Sequence, residues 1–130
     1  MFTAERLDHV AFTARDLDGL ARWYEMVLGM RRAHAEAWPD VDGGDPLVLC
    51  AGSACIALFR ARDGVAPRPS DPSDPNEHVA LAVDGANFEQ AQRDLTALGI
   101  SYDVWAHGIC DSLYFEDPEG HRIELTSYRA

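Results

Sequence analysis

Three residues of this sequence are suited to holding a metal ion: His9, His78 and Glu124. Each lies in a short run that alternates like a β-strand. Two neutral imidazoles and one carboxylate on a common face form a facial triad, which binds Fe²⁺, Mn²⁺, Ni²⁺ or Zn²⁺ and leaves coordination positions open. We therefore predict a divalent metal site, at which a small substrate with neighbouring oxygens chelates. The alternative is that each histidine only fills a structural position.

An internal repeat gives the two histidines equivalent places in the chain. Residues 7–12 (LDHVAF) open the first half, and residues 77–82 (EHVALA) open the second. A helical pattern follows each run and ends at Gly29 or Gly99. We predict two βαβββ modules, at about residues 5–62 and 76–128, joined by a proline-rich linker at about 63–75. The expected fold is α+β, a single domain in which the paired modules form a cupped half-barrel sheet with helices on its outer face.

The predicted elements follow from apolar periodicity and turn residues. The first helix is expected over residues 17–28, with Asp16 as N-cap, and the second over 88–98, where Asn87 and Gln90 resemble a capping box. Gly52-Ser53 and residues 117–120 are expected to form turns. The predicted strands are 6–13, 31–37, 46–51, 54–60, 77–83, 100–105, 112–116 and 122–127.

Strand alternation sorts the polar side chains onto one face of each sheet. In the second half Ser112, Tyr114 and Glu124 share the phase of His78, with small alanines between them. Small residues beside polar ones are typical of a cavity floor, although such a face can also simply meet solvent. Glu124 lies 46 residues after His78, and the same separation counted from His9 leads to Cys55 in the first half. Neither Cys55 nor the following residues 56–58 are acidic. The sequence therefore offers three metal ligands.

Charge and composition exclude several classes of partner. The net charge of −11 over 130 residues opposes binding to nucleic acid or to an anionic membrane surface. No apolar stretch approaches the length of a membrane span, and the first residues do not resemble a signal peptide. We expect a soluble cytoplasmic protein. The three cysteines lack CxxC spacing, so we expect free thiols, buried at Cys50 and Cys55, rather than a disulfide or a zinc knuckle.

The same residues resemble a known family. Residues 7–10, 23–24, 28–30, 78–80 and 114–125 are similar to the vicinal oxygen chelate superfamily, also called the glyoxalase, bleomycin-resistance and extradiol-dioxygenase group. The resemblance implies a half-barrel around a divalent ion, with the family's ligand positions at His9, His78 and Glu124. It also implies a homodimer, in which His9 comes from one subunit and the other two ligands come from its partner.

The resemblance leaves the reaction open between dioxygenase and lyase or transferase chemistry. Ser112 and Tyr114 match positions that bind substrate oxygens in fosfomycin-modifying thiol transferases. Those enzymes usually carry an aromatic residue where this chain has Asn76, and they have a longer basic tail. Extradiol dioxygenases use an additional histidine, for which His107 is a candidate. A further alternative is a metal-free drug-binding protein of the bleomycin-resistance type, with aromatic walls from Trp38 and Trp105.

Overall fold

The protein is described by a computed structural model over residues 1–33, 46–62, 74 and 76–129. The chain divides into two compact units, Met1–Arg68 and Pro69–Ala130. Each unit has one helix after its first strand and a four-stranded sheet. The predicted α+β class and the βαβββ order of each half are confirmed. The predicted linker lies largely outside the described residues, as do Trp38 and residues 34–37 of the second predicted strand.

The first unit forms a mixed sheet with strand order β1-β4-β3-β2. Strands β1 and β4 are parallel, and the other pairs are antiparallel. The helix packs on β3 and β4, and it buries Leu17, Leu20, Ala21 and Tyr24 against the sheet. The elements of this unit are β1 (Val10–Ala14), α1 (Leu17–Leu28), β2 (Arg31–Ala33), β3 (Leu47–Ala51) and β4 (Ala54–Arg60).

The second unit repeats this plan with strand order β5-β8-β7-β6. Strands β5 and β8 are parallel, and the remaining pairs are antiparallel. Its core is built from Phe88 and Leu95 of the helix together with Leu113, Ile123 and Leu125 of the sheet. The opposite face of this sheet is therefore left for polar side chains. The elements are β5 (Val79–Ala82), α2 (Gly85–Ala97), β6 (Asp103–Ala106), β7 (Cys110–Glu116) and β8 (Arg122–Tyr128).

Helix α1 begins and ends where the sequence predicts. The Asp16 carboxylate accepts a hydrogen bond from the Gly19 backbone N–H at 3.0 Å, and Gly29 ends the helix at φ +62°, in the left-handed region that glycine tolerates best. None of the helices in the described parts of the chain is long and apolar enough to span a membrane.

Helix α2 differs from its prediction at the N-terminus. It begins at Gly85, and its N-cap is Asp84, whose carboxylate accepts from the Asn87 N–H at 2.8 Å. The predicted capping box at Asn87 and Gln90 is wrong, because an acidic side chain three residues earlier already satisfies that N–H. Gln90 instead donates to the Asp94 carboxylate at 2.7 Å.

Several strand-level predictions need correction. Strands β1, β5 and β6 begin at Val10, Val79 and Asp103, which is four, two and three residues after their expected starts. Cys50 and Cys55 form a disulfide, so the prediction of free thiols at these positions is wrong. The Gly52-Ser53 turn makes them a directly opposed pair on β3 and β4, and their Cα atoms are 4.1 Å apart. That separation is close enough for a cross-strand bridge. Cys110 is free, as expected.

Candidate metal and substrate site

The polar face of the second sheet is organised in rows that cross its strands. Side chains of residues paired across neighbouring strands point to the same face. One row contains Ala80 of β5, Glu124 of β8, Tyr114 of β7 and Asp103 of β6. The next row contains Ala82, Thr126, Ser112 and Trp105 on the same four strands. Both rows lie on the side of the sheet opposite to the buried core.

His78 and Glu124 lie next to each other on this face. His78 directly precedes β5 and follows its alternation, and Glu124 lies on the central strand β8. The Nε2 atom of His78 is 2.8 Å from Oε1 of Glu124, and their side chains are 23% and 10% exposed. The Nδ1 atom of His78 is buried and has no hydrogen-bond partner among the described residues. The structure thus brings together two of the three side chains that the sequence predicts as ligands.

Tyr114 lies beside this pair. Its ring stands edge-on to the His78 ring, with centroids 5.6 Å apart and planes at 89°. Burial raises the pKa of the Tyr114 phenol above its ordinary value, and the negative charge of Glu124 raises it further. Both causes disfavour the phenolate. Tyr114 is therefore a neutral phenol at physiological pH, able to donate a hydrogen bond to a substrate oxygen.

His107 and Ser112 were also predicted as site residues. His107 is exposed, and its Nε2 atom lies 3.4 Å from the Tyr114 hydroxyl, at the long end of hydrogen-bonding distance. Ser112 is fully buried, and its hydroxyl lies 3.4 Å from that of Thr126. In this conformation a ligand reaches His107 and Tyr114 but not Ser112, so a substrate contact by Ser112 requires neighbouring side chains to move.

His9 belongs to the first unit, where it directly precedes β1. Its Nδ1 atom lies 2.8 Å from the Asp8 carboxylate, and its side chain is 46% exposed. This hydrogen bond lowers the pKa of Asp8, and the nearby Arg6 lowers it further. A carboxylate on Nδ1 leaves Nε2 available, which is a frequent arrangement in metal-binding histidines. The role of His9 as third ligand remains a prediction.

The first unit offers no counterpart of Glu124. In β1 and β4 Ala11 pairs with Ala57, as Ala80 pairs with Glu124 in the second unit. The structural equivalent of Glu124 is therefore Ala57. Counting the His78-to-Glu124 separation from His9 in the sequence leads to Cys55 instead. Neither residue is acidic, so the conclusion that the first half lacks a matching carboxylate holds. In the described parts of the chain no three His, Cys, Asp or Glu side chains cluster as a metal site.

A cleft of about 810 Å³ opens on the second unit next to Tyr114. This volume lies within the range of small-molecule sites. Among the lining residues that were not predicted for the site are Asp103, Glu116 and Arg122. The alternation of β6 was a usable signal for Asp103, because it has the same phase as Trp105, which was predicted as an aromatic wall of a binding site. The full lining is Asn76, Ile100, Ser101, Tyr102, Asp103, Trp105, His107, Tyr114, Phe115, Glu116, Asp117 and Arg122.

Comparisons with known proteins agree on the family. The chain is 28% identical to the glutathione transferase FosA of Serratia marcescens, over 93% of this chain and 79% of that protein. It is also 28% identical to the metallothiol transferase FosB of Staphylococcus epidermidis, over 92% and 79%. A glyoxalase family protein from Bacillus anthracis shares the fold at a TM-score of 0.77 and 20% identity, over 99% of each chain. The family description "Glyoxalase/Bleomycin resistance protein/Dioxygenase superfamily" matches residues 6–125. The chain belongs to this superfamily.

Proposed function

We propose that this protein is a divalent-metal-dependent enzyme that binds a small substrate through vicinal oxygens on the polar face of its second unit. The observation that carries the proposal is the 2.8 Å approach of His78 Nε2 to Glu124 Oε1, beside the neutral phenol of Tyr114. An ion would be held by His78 and Glu124 together with His9, from the same chain or from a partner subunit in a homodimer.

The His78–Glu124 pair fits a divalent ion in donor type and spacing. Imidazole nitrogen and carboxylate oxygen bind such ions at about 2.0–2.2 Å. Two donors at that distance and at right angles to each other are about 3 Å apart, close to the spacing of this pair. A pair held only by its own hydrogen bond has the same spacing, so the test must measure metal directly. Fe²⁺, Mn²⁺, Ni²⁺ and Zn²⁺ all suit this donor set.

The surrounding residues supply the remaining chemistry. A divalent ion in this position supplies Lewis-acid stabilisation of negative charge on a substrate oxygen. Tyr114 donates a hydrogen bond to that oxygen, and His107 is close enough to exchange a proton with the Tyr114 hydroxyl. The cleft next to Tyr114 takes the rest of the substrate. Ring-cleaving dioxygenation and lyase or transferase chemistry both use these parts.

Thiol transfer of the fosfomycin type is the second candidate. Its support is the similarity to a glutathione transferase and to a metallothiol transferase, together with Tyr114 at a matching position. Two observations oppose it: Asn76 stands where those enzymes usually carry an aromatic residue, and Ser112 is fully buried. A transferase consumes an epoxide only when a thiol is present, so product formation with and without glutathione separates it from the other reactions.

A third candidate is metal-free sequestration of a drug. It needs an open groove with aromatic walls, and the cleft provides Trp105, Tyr102 and Tyr114. This function has no use for the His78–Glu124 pair. Calorimetry with a cationic glycopeptide distinguishes it, because tight binding to metal-stripped protein favours sequestration over catalysis.

Metal content is the first prediction. Protein purified without chelator is expected to hold close to one divalent ion per chain by elemental analysis, and stripping the ion is expected to abolish turnover. Restoring Fe²⁺, Mn²⁺, Ni²⁺ or Zn²⁺ one at a time identifies the active metal, and oxygen uptake with catechols tests for dioxygenation. Protein that holds no stoichiometric metal and gains no activity from any of the four ions contradicts the proposal.

The second prediction concerns the Tyr114 hydroxyl. Tyr114→Phe removes a hydrogen-bond donor from the reacting oxygen and is expected to lower kcat by about 100-fold or more. Metal content should be unchanged, since the phenol is not a proposed ligand. Tyr128→Phe is the matched control, because this exposed tyrosine lies outside the cleft lining. Equal kcat values for the two variants would remove Tyr114 from the reaction.

A further inference from the structure

We infer that the cleft of the second unit selects a substrate that carries a positive charge at the end remote from its metal-chelating oxygens. This inference rests on the proposed function and adds the substrate class to it. It is drawn from three features of the cleft: the Asp103 carboxylate, the balance of charges along the floor and the exposed ring of Trp105.

Asp103 lies in the same row as the predicted metal ligand Glu124. Tyr114 stands between them, since Asp103 pairs with Tyr114 and Tyr114 pairs with Glu124. Two strand spacings separate Asp103 from Glu124, which amounts to about 10 Å. A bound molecule that extends from the His78–Glu124 pair across Tyr114 therefore reaches the Asp103 carboxylate. This carboxylate takes part in none of the ion pairs among the described residues.

The floor of the cleft carries more negative than positive charge. The lining contains three carboxylates, of Asp103, Glu116 and Asp117, and one guanidinium, of Arg122. The Asp117 carboxylate is buried against His121. Arg122 pairs directly across the strands with Glu116, and its Nη1 atom donates to the Asp74 carbonyl at 3.2 Å. Glu116 and Arg122 carry opposite charges on directly paired residues, so their fields oppose each other at that end of the cleft. The field at the Asp103 end favours a cation and disfavours an anion.

Trp105 adds a second site for a cation next to Asp103. Its side chain follows Asp103 on the same face of β6 and is 59% exposed, although it belongs to the cleft lining. An ammonium group over an exposed indole face is stabilised by the ring quadrupole. A carboxylate and an indole two residues apart on one strand therefore form a site for an organic cation. A phosphonate or carboxylate at this end is repelled by the negative charge of Asp103.

The test compares three catechols that share the same vicinal oxygens and differ in charge: dopamine, catechol and 3,4-dihydroxybenzoate. Binding to metal-loaded protein is measured by calorimetry without oxygen, so that no turnover occurs. Dopamine is expected to bind about ten-fold or more tightly than 3,4-dihydroxybenzoate, with catechol between them, as an ion pair and a cation–π contact together allow. Asp103→Asn should reduce the preference for dopamine several-fold and leave catechol affinity unchanged.

Asp94→Asn is the matched control, since it removes the same charge from helix α2, which packs on the apolar face of the sheet. It should leave the order of the three affinities unchanged. Equal affinities, or tighter binding of the anion, overturn the inference while the proposed function stands. An equal loss of preference in Asp94→Asn also overturns it, because net charge would then explain the selectivity. Failure of all three catechols to bind protein shown to contain metal overturns the inference and the catechol form of the proposed function together.

Discussion

Glu124→Ala is expected to lower the affinity for a divalent ion by more than about 100-fold and to abolish metal-dependent turnover. Loss of an outer partner of a metal ligand already costs about 10–100-fold, and Glu124 is proposed to bind the ion directly. It is also the hydrogen-bond partner of His78, at 2.8 Å. Its removal therefore eliminates one ligand and releases the second.

The fold should survive this substitution, because the first unit of the same protein already has alanine at the equivalent position. The first unit has the same strand order, and at the position equivalent to Glu124 it carries Ala57, which is buried. A central strand of this sheet thus accepts alanine at that site. The substitution also removes a buried carboxylate, whose desolvation is costly. Circular dichroism and a thermal melt should match the unsubstituted protein, whereas equilibrium dialysis with Zn²⁺ or Mn²⁺ should show the loss.

Glu89→Ala provides the control, since it removes an exposed carboxylate from α2. It should leave both the melt and the metal affinity unchanged. If Glu124→Ala binds the ion as tightly as this control, Glu124 is not a ligand. If it unfolds instead, the His78–Glu124 contact serves stability, and Glu124→Gln, which keeps the side-chain volume, must then decide the metal question.

The shared face of His78 and Glu124 was predictable because it depends on strand alternation alone, whereas their 2.8 Å approach also requires the pairing of β5 with β8. Period-two alternation assigns each residue to a face, and the repeat aligns the first strand of each half. Those two facts put His78, Tyr114 and Glu124 on one face before any pairing is known. The structure adds the register, which places Tyr114 directly opposite Glu124. In the first half, the pairing of β1 with β4 shows that the residue equivalent to Glu124 is Ala57 and not Cys55.

The disulfide shows where counting residue types fails. An odd number of cysteines without CxxC spacing argued for free thiols. The predicted turn at Gly52-Ser53 indicated a disulfide instead, because a two-residue hairpin loop makes Cys50 and Cys55 direct partners. Local pairing therefore decides the question, and composition does not. The start of α2 at Gly85 is a similar case, since the local hydrogen bond from the Asn87 N–H to the Asp84 carboxylate decides the N-cap.

The charged residues of the cleft were less predictable than the proposed metal ligands. Asp103 lies near the start of a short strand, where the predicted boundary was three residues too early, so its face was known but its strand partner was not. Pairing with Tyr114 gives this carboxylate its proposed role. Such a relation depends on strand register, which the hydrophobic pattern and the turn between the strands set together.

Asp117→Ala is expected to destabilise the protein by about 3 kcal/mol or more, because each buried donor left without its acceptor costs about 1–3 kcal/mol. Asp117 and His121 are both almost fully buried, and the Nδ1 atom of His121 lies 2.6 Å from the Asp117 carboxylate. The same carboxylate accepts from the backbone N–H groups of Glu119 and His121, each at 2.9 Å. Alanine leaves all three donors without this acceptor.

The turn that Asp117 holds connects β7 to β8, so its loss should also reach the site. Pairing from Glu116 and Arg122 onward puts Tyr114 opposite Glu124, and a loosened turn weakens that register. We expect metal affinity to fall together with the free energy of unfolding, measured by urea denaturation and dialysis. Asp111→Ala is the control, because its ion pair with Arg129 is partly exposed and such pairs contribute only about 0–1 kcal/mol. Similar losses in the two variants would mean that the Asp117–His121 pair does not organise the turn. In that case the register of Tyr114 and Glu124 must be maintained by the strands themselves.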